Sequence, residues 1–277
     1  MSLMHLIETD TFIWEVAIYG EGTYHWMAFA GFGETHICYE QLAKHLPDNH
    51  RLLVINHPAH GNSIIKNKAD SFQLSKGEYQ REMEAILSHF SIQEFGLMGY
   101  SLGGRLAMTL ANQFPERVKK ILLFAPDGLR KTPFHFLGKL PKITSPIFNF
   151  IRKKPGSIIA TGKFLNASGI IPDMVFKFST MQLQTQEKRN QLYMTWFVLN
   201  NIFPNLKKLR KNVQTHGIQM DVFMGTKDPI IPLKHLKVFK HWSPNEVVIH
   251  KIPTRHRILD HLEFNQFFPA QKLQLQA

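Results

Sequence analysis

An α/β fold, with a mostly parallel sheet covered by helices on both faces, is predicted by three observations. Short apolar runs that stop at glycine or proline alternate with stretches of helical periodicity. The 277 residues are 44% hydrophobic and 12% aromatic, enough to bury a large core. The alternation is broken once, over residues 129–215, and resumes afterwards.

The elements follow in order. "FIWEVAIYGEG" reads as an early strand that ends in a turn, and "HWMAFAGFGE" as an apolar run that stops at glycines. "YEQLAKHL" is helical, and "RLLVINHPAHGNS" is a strand followed by a loop. In "SKGEYQREMEAILSHF", Tyr79, Met83, Ile86, Leu87 and Phe90 share one helical face, and Ser75 and Glu78 have the spacing of a capping box. "EFGLMG" is a short strand, the helix after it carries Leu102, Leu106 and Leu110 on one stripe, and "KKILLFAP" is the next strand. Later come the strand "MDVFMG", a helix near "PLKHLKVFKHW", the strand "EVVIHKI", and a last helix with Leu259, Leu262 and Phe267.

The interval 129–215 holds Pro133, Pro141, Pro146, Pro155 and Pro172 and reads as helices with irregular joints. Ser145-Pro146 suits a helix start, because proline at the first turn loses no bonded amide. "EKRNQLYMTWFVLNNIF" reads as a helix that stops at Pro204. The expected division is a core of 1–128 and 216–277 with a helical cap inserted at 129–215.

The net charge is +12, which favours anionic partners. The charge is local. Fifteen of the 33 basic residues but only Asp173 and Glu187 of the 21 acidic ones fall in 129–215, so that interval carries +13 and the remainder −1. It also holds Phe134, Phe136, Phe148, Phe150, Phe164, Phe176 and Phe178. A basic, apolar cap suits a substrate with an acyl or ring portion and an anionic portion, or docking on an anionic membrane surface or acyl carrier. The plainer expectation is that the phenylalanines pack the cap and the lysines are solvated. No basic-aromatic recognition module stands out, so nucleic acid is not an expected partner. Cys38 is the single cysteine, which forbids an intrachain disulfide and fits a cytoplasmic setting. The sequence shows no signal peptide and no apolar run of membrane-spanning length. Met4 is a second candidate start. The 15 histidines include no His-Glu-x-x-His pattern, so neither a metal nor a cofactor is expected.

Chemistry concentrates at "LMGYSLGGRLAMTL", where Ser101 stands between Gly99 and Gly103. A strand, a sharp turn and a helix around Gly-x-Ser-x-Gly present a hydroxyl at a helix N-terminus, where backbone amides can hold an oxyanion. Such a serine needs a base, and the base needs an acid that fixes its tautomer. Asp228 follows the strand "MDVFMG" and His256 follows the last strand, so both sit where α/β sheets assemble their sites.

These segments resemble the α/β-hydrolase superfamily, of the hydrolase or acyltransferase kind, from about Trp14 to Phe268. "FAGFGE" is similar to the family's His-Gly-x-Gly oxyanion segment, with Ala30 in place of the histidine. "NHPAHGNS" is similar to its Asp-x-Pro-Gly-His-Gly-x-Ser loop, with Asn56 and Ala59 substituted. "GYSLGG" matches the elbow, "GTKDPIIP" the acid turn, and "RHRIL" the histidine loop, with Arg255 where the family has glycine. The resemblance implies Ser101, Asp228 and His256 as a triad and the backbone amides of Phe32 and Leu102 as the oxyanion hole, with no cofactor. Ala30 removes no backbone donor, whereas Arg255 bears on how His256 is held. Asp127, in "FAPDG" after the preceding strand, is a rival acid. His250 and His261 are rival bases, and His57 and His60 read as loop-bracing residues.

The expected activity is hydrolysis of an ester or thioester by a serine hydrolase through an acyl-enzyme. Two other readings stay open: a lyase or carbon–carbon hydrolase that keeps the triad, and a binding protein without turnover.

Overall fold

The computed structural model of the chain describes residues 2–66, 69, 71–131, 141–170 and 173–262. Among them, nine strands form one sheet: β1 (Leu3–Glu8), β2 (Phe12–Tyr19), β3 (Tyr24–Phe29), β4 (His50–Ile55), β5 (Ile64–Ile65), β6 (Phe95–Tyr100), β7 (Val118–Phe124), β8 (Gln219–Gly225) and β9 (Val248–Ile252). The order is β1-β2-β4-β3-β6-β7-β8-β9, with β5 beside β2. β2 pairs antiparallel with β1, β4 and β5, and the pairs from β4 through β9 are parallel.

The side-chain period of two explains why these runs are apolar throughout. On β2, Phe12, Trp14, Val16 and Ile18 enter one core cluster, while Ala17 and Tyr19 enter another. On β6, Phe95 and Leu97 face the first, and Met98 and Tyr100 the second. A strand buried on both faces must be apolar at every position.

α1 (Glu40–Ala43), α2 (Lys76–His89) and α3 (Leu102–Gln113) lie in the N-terminal part of the core. Ser75 and Glu78 form the capping box of α2 as the sequence predicts, worth about 1 kcal/mol. α3 buries Leu102 through Asn112, because it packs on β6, β3 and a later helix.

Between β7 and β8 come α4 (Pro141–Lys153), α5 (Pro155–Ala167), α6 (Asp173–Leu183), α7 (Gln186–Tyr193) and α8 (Leu206–His216). α4 starts at Pro141 rather than at Ser145, so Pro146 lies inside the helix, where its missing amide leaves one helical bond unmade. α7 continues as a π-helical turn over Met194–Val198, and Phe148, Tyr193 and Phe197 pack together there. α8 packs on α3 and sends Leu209 and Val213 into the sheet's core. The last part of the interval 129–215 thus covers the sheet itself. Phe150 and Phe164 are exposed.

Leu233–Phe239 is helical as expected, in 3-10 geometry. After β9 the described chain makes a 3-10 turn at Ile258–His261, while the expected last helix beyond residue 262 lies outside the described residues. Pro133, Phe134, Phe136, Lys139, Pro172 and Phe267, and the side chain of Phe178, lie outside the described residues. β1 and β5 have no counterpart in the sequence reading. Among the described residues, no helix is long and apolar enough to cross a membrane.

Candidate active site

The end of β6 is where the chain becomes strained. Ser101 has φ 50° and ψ −114°, a conformation that costs a non-glycine residue about 1–3 kcal/mol. Its amide donates to Phe124 O and its carbonyl accepts from the amides of Gly104 and Asp127, which fixes the turn. The flanking glycines are required by close approach. A Cβ on Gly99 would lie 2.6 Å from Gly103 O, and one on Gly103 would lie 1.9 Å from Phe29 O. The sequence pattern around the serine is therefore set by steric contact between β6, α3 and β3.

β8 and β9 bring the acid and the base together. The Thr226 amide donates to Ile252 O and the Lys227 amide to Thr254 O, so the two turns are laced by backbone bonds. Gly225 allows this, because a Cβ there would meet Arg255 O at 2.5 Å. His256 Nδ1 lies 2.7 Å from Asp228 Oδ2, and His256 Nε2 lies 2.8 Å from Ser101 Oγ. The Asp228 side chain is wholly buried. Its Oδ1 accepts from the Ile230 and Ile231 amides. Burial alone would push this carboxyl up. The His256 hydrogen bond and the Ile231 and Ile230 amides outweigh it and hold the carboxyl below its ordinary value. With Asp228 an acceptor, Nδ1 carries the proton and a neutral His256 offers Nε2 to the hydroxyl.

Asp127 is engaged elsewhere. Its Oδ1 accepts from the Gly128 amide at 2.7 Å, and its Oδ2 lies 3.7 Å from the Arg105 guanidinium. His250 bonds to Asp221 and stacks on Phe223 within the sheet, and His261 sits exposed in the 3-10 turn. Arg255 is exposed and is absent from the left-handed backbone positions, so the arginine is accommodated without strain.

The segment after β3 abuts the serine: a Cβ on Gly31 would lie 3.4 Å from Ser101 Cβ. Among the described residues, the amides of Phe32 and Leu102 donate to no protein acceptor. Leu102 is also the first residue of α3, where the helix dipole adds positive potential.

Two buried histidines hold this segment. His57 Nε2 lies 2.6 Å from Ala30 O, so that nitrogen carries the proton. The Gly33 amide donates to His60 Nε2, which leaves His60 Nδ1 to donate to Pro58 O. Burial drives both imidazoles down, His57 to about 3, where the neighbouring His60 and Arg105 add to the effect. The loop after β4 that carries these two histidines is in turn held by Glu15, whose carboxylate accepts from Asn56 Nδ2, the Asn62 amide and Asn62 Nδ2. Burial raises the Glu15 carboxyl, but the Asn62 and Asn56 bonds prevail and keep it low. Ala59, which replaces a family glycine, keeps a left-handed φ of 64°. The signal for Glu15 in the sequence was a lone carboxylate in the apolar run "FIWEVAIY". Among the described residues, no group of three or more His, Cys, Asp or Glu could hold a metal ion.

Comparison with known proteins bears on this geometry. Residues 29–151 match a family described as the alpha/beta hydrolase fold. A Mycoplasma pneumoniae protein provisionally named esterase/lipase 1 is 30% identical over 102 residues, 36% of this chain and 37% of that one. The chain thus spans little more than a third of the length of the curated relative it matches. Two crystal structures are similar over nearly the whole chain. One is a hydrolase from Pseudomonas aeruginosa, with a TM-score of 0.63, 16% identity, and coverage of 96% of this chain and 95% of the other. The second, a serine hydrolase from Cycloclasticus zankles, has a TM-score of 0.58, 19% identity, and coverage of 92% and 90%. With its elbow inside the matched family segment and its sheet shared with these hydrolases, the chain has the α/β-hydrolase fold.

Proposed function

We propose that the protein is a serine hydrolase acting on an ester or thioester of a small, partly apolar acyl substrate. One observation carries the reading: an unbroken hydrogen-bonded chain runs from Ser101 through His256 to Asp228, starting at a strained elbow. Ser101 Oγ attacks the carbonyl carbon while His256 Nε2 takes its proton, and Asp228 supports the imidazolium. The carbonyl oxygen becomes an oxyanion held by the Phe32 and Leu102 amides, each worth about 10²–10³ in kcat. Collapse breaks the bond to the leaving alcohol or thiol, which takes the proton from His256. Water then attacks the acyl-enzyme, giving its proton to His256, and Ser101 leaves with that proton restored. The helices between β7 and β8 serve as the cap in this reading. Their excess of positive charge supports an anionic portion on the substrate, or approach to an anionic membrane surface or acyl carrier.

The test is labelling with a serine-reactive fluorophosphonate, followed by turnover of acyl esters of graded length. Ser101→Ala should remove both labelling and hydrolysis while thermal unfolding stays near wild type, a loss of about 10⁶ in kcat. A folded Ser101→Ala protein with normal turnover would end the serine reading.

A further inference from the structure

A cavity of about 510 Å³ lies between the N-terminus of α2, the chain after β7, and the segment that enters α8. Lys76, Arg130, Lys131 and Lys207 line it, and among the described residues no carboxylate does. None of Ser101, Asp228 or His256 belongs to it. Among the described residues, these four cations make no ion pair.

From this juxtaposition we infer that the cavity is an anion site for a small molecule bearing a phosphate or diphosphate group. Four like charges around one cavity repel each other, and a bound polyanion relieves that repulsion. Burial lowers the Lys76 ammonium, and the neighbouring Lys131 and Lys208 lower it further. The backbone adds to the side chains. Asn205 caps α8 by accepting from the Lys208 amide, while among the described residues the Leu206 and Lys207 amides have no acceptor. Those amides and the helix dipole favour an oxyanion at the cavity wall. Phe203 and Leu206 supply apolar lining, and the Lys131 ammonium stands 5.3 Å over the Phe203 ring, so the cavity offers apolar surface beside its charge. The volume suits a small molecule rather than a polymer.

The site is independent of the proposed hydrolysis, so binding is measured by calorimetry on the full chain and on Ser101→Ala. Inorganic pyrophosphate is the probe, with inorganic phosphate and phosphatidylglycerol vesicles as separate arms. Pyrophosphate should bind one to one, equally in both proteins and more tightly than phosphate. Arg130→Gln with Lys131→Gln should weaken it at least about tenfold, and Lys76→Gln alone should weaken it less. The pair Lys237→Gln with Lys240→Gln, which does not line the cavity, should change it less than about twofold. Hydrolysis of a neutral ester and the unfolding temperature should be unchanged in the Arg130 and Lys131 variant. Failure of pyrophosphate to saturate the wild-type chain would overturn the inference. So would equal losses in the two double variants, which would mean general surface charge. Vesicle binding that needs Arg130 and Lys131, without any pyrophosphate binding, would overturn it in favour of a lipid surface.

Discussion

The loops at the strand ends and the basic interval between β7 and β8 treat polar groups in opposite ways. At the strand ends, the carboxylates and imidazoles that shape the site are met by partners inside the protein, with His57 Nδ1 an exception. Glu15 is met by Asn56 and Asn62, His60 by Gly33 and Pro58, and Asp228 by His256, Ile230 and Ile231. In the interval, cations outnumber carboxylates 15 to two, and a cavity at its edge is lined, among the described residues, by cations and no carboxylate. The difference separates two kinds of function. Internal pairing holds atoms in one geometry, as bond-making chemistry demands. Unspent charge acts at a distance on whatever approaches, and tolerates imprecise placement. Substitutions in the first region should therefore cost activity or stability at any ionic strength, and substitutions in the second should cost only what salt can screen.

After the loss expected on removing Ser101, the largest effect should come from the acid. Asp228→Asn leaves the shape of the site but places an amide where Nδ1 needs an acceptor, so the wrong imidazole tautomer is favoured and kcat should fall by about 10⁴. Asp127→Asn should cost far less, because that carboxylate is about a quarter exposed and faces Arg105 rather than His256. Steady-state kinetics on the two variants decide the matter. A larger loss at Asp127 would move the acid to the turn after β7 and dissolve the pairing pattern described for Asp228.

Next in size is the brace on the oxyanion segment. His60→Ala removes the acceptor for the Gly33 amide and should lower kcat about 10- to 100-fold with KM little changed, since misplaced amides act on the transition state. His60→Gln, whose side-chain oxygen can accept the same bond, should recover part of the loss. Equal KM and kcat defects in both variants would point to general loosening of the fold.

Much of this region was legible in the sequence, for a physical reason. Gly99 is required by contact with Gly103 and Gly104, and Gly103 by contact with Phe29 on β3, so glycines flank the serine in a recognisable pattern, and the parallel strands leave continuous apolar runs because both faces are buried. The choice between Asp228 and Asp127 was not local. It depends on Arg105, which reaches Asp127 from α3, and on the backbone lacing of the turns after β8 and β9. The strand β1 was missed because its exposed edge alternates weakly: Leu3 and Leu6 are more than half exposed. The 3-10 geometry of Leu233–Phe239 was missed because i,i+3 and i,i+4 spacing look alike over seven residues.

A third expectation concerns acid. The Glu15 carboxyl is held below its ordinary value, so it adds stability that is complete above the unfolded carboxylate range and is lost as pH falls through its folded value. Glu15→Gln should destabilise the chain near neutral pH by about 1–3 kcal/mol. The gap to wild type should close below about pH 4. Denaturant unfolding at several pH values measures it. A gap independent of pH would mean that Glu15 acts through packing.

The smallest effect belongs to the interval, and it is the one that separates the two regions most directly. Screening shortens the reach of surface charge to roughly 8 Å at physiological ionic strength, so long-range attraction toward residues 129–215 should fade as salt rises, while the Ser101–His256–Asp228 distances should not change. If the interval steers substrate, kcat/KM for an anionic ester should fall several-fold between low salt and about 0.5 M, with kcat constant. A neutral ester of the same acyl group should be almost unaffected, because its encounter owes nothing to charge. Neutralising Lys153 and Lys154 together should flatten the salt response of the anionic ester without altering the neutral one. Identical salt profiles for the two esters, with no binding to anionic vesicles, would leave the interval's charge as a solvated surface with no part in substrate capture.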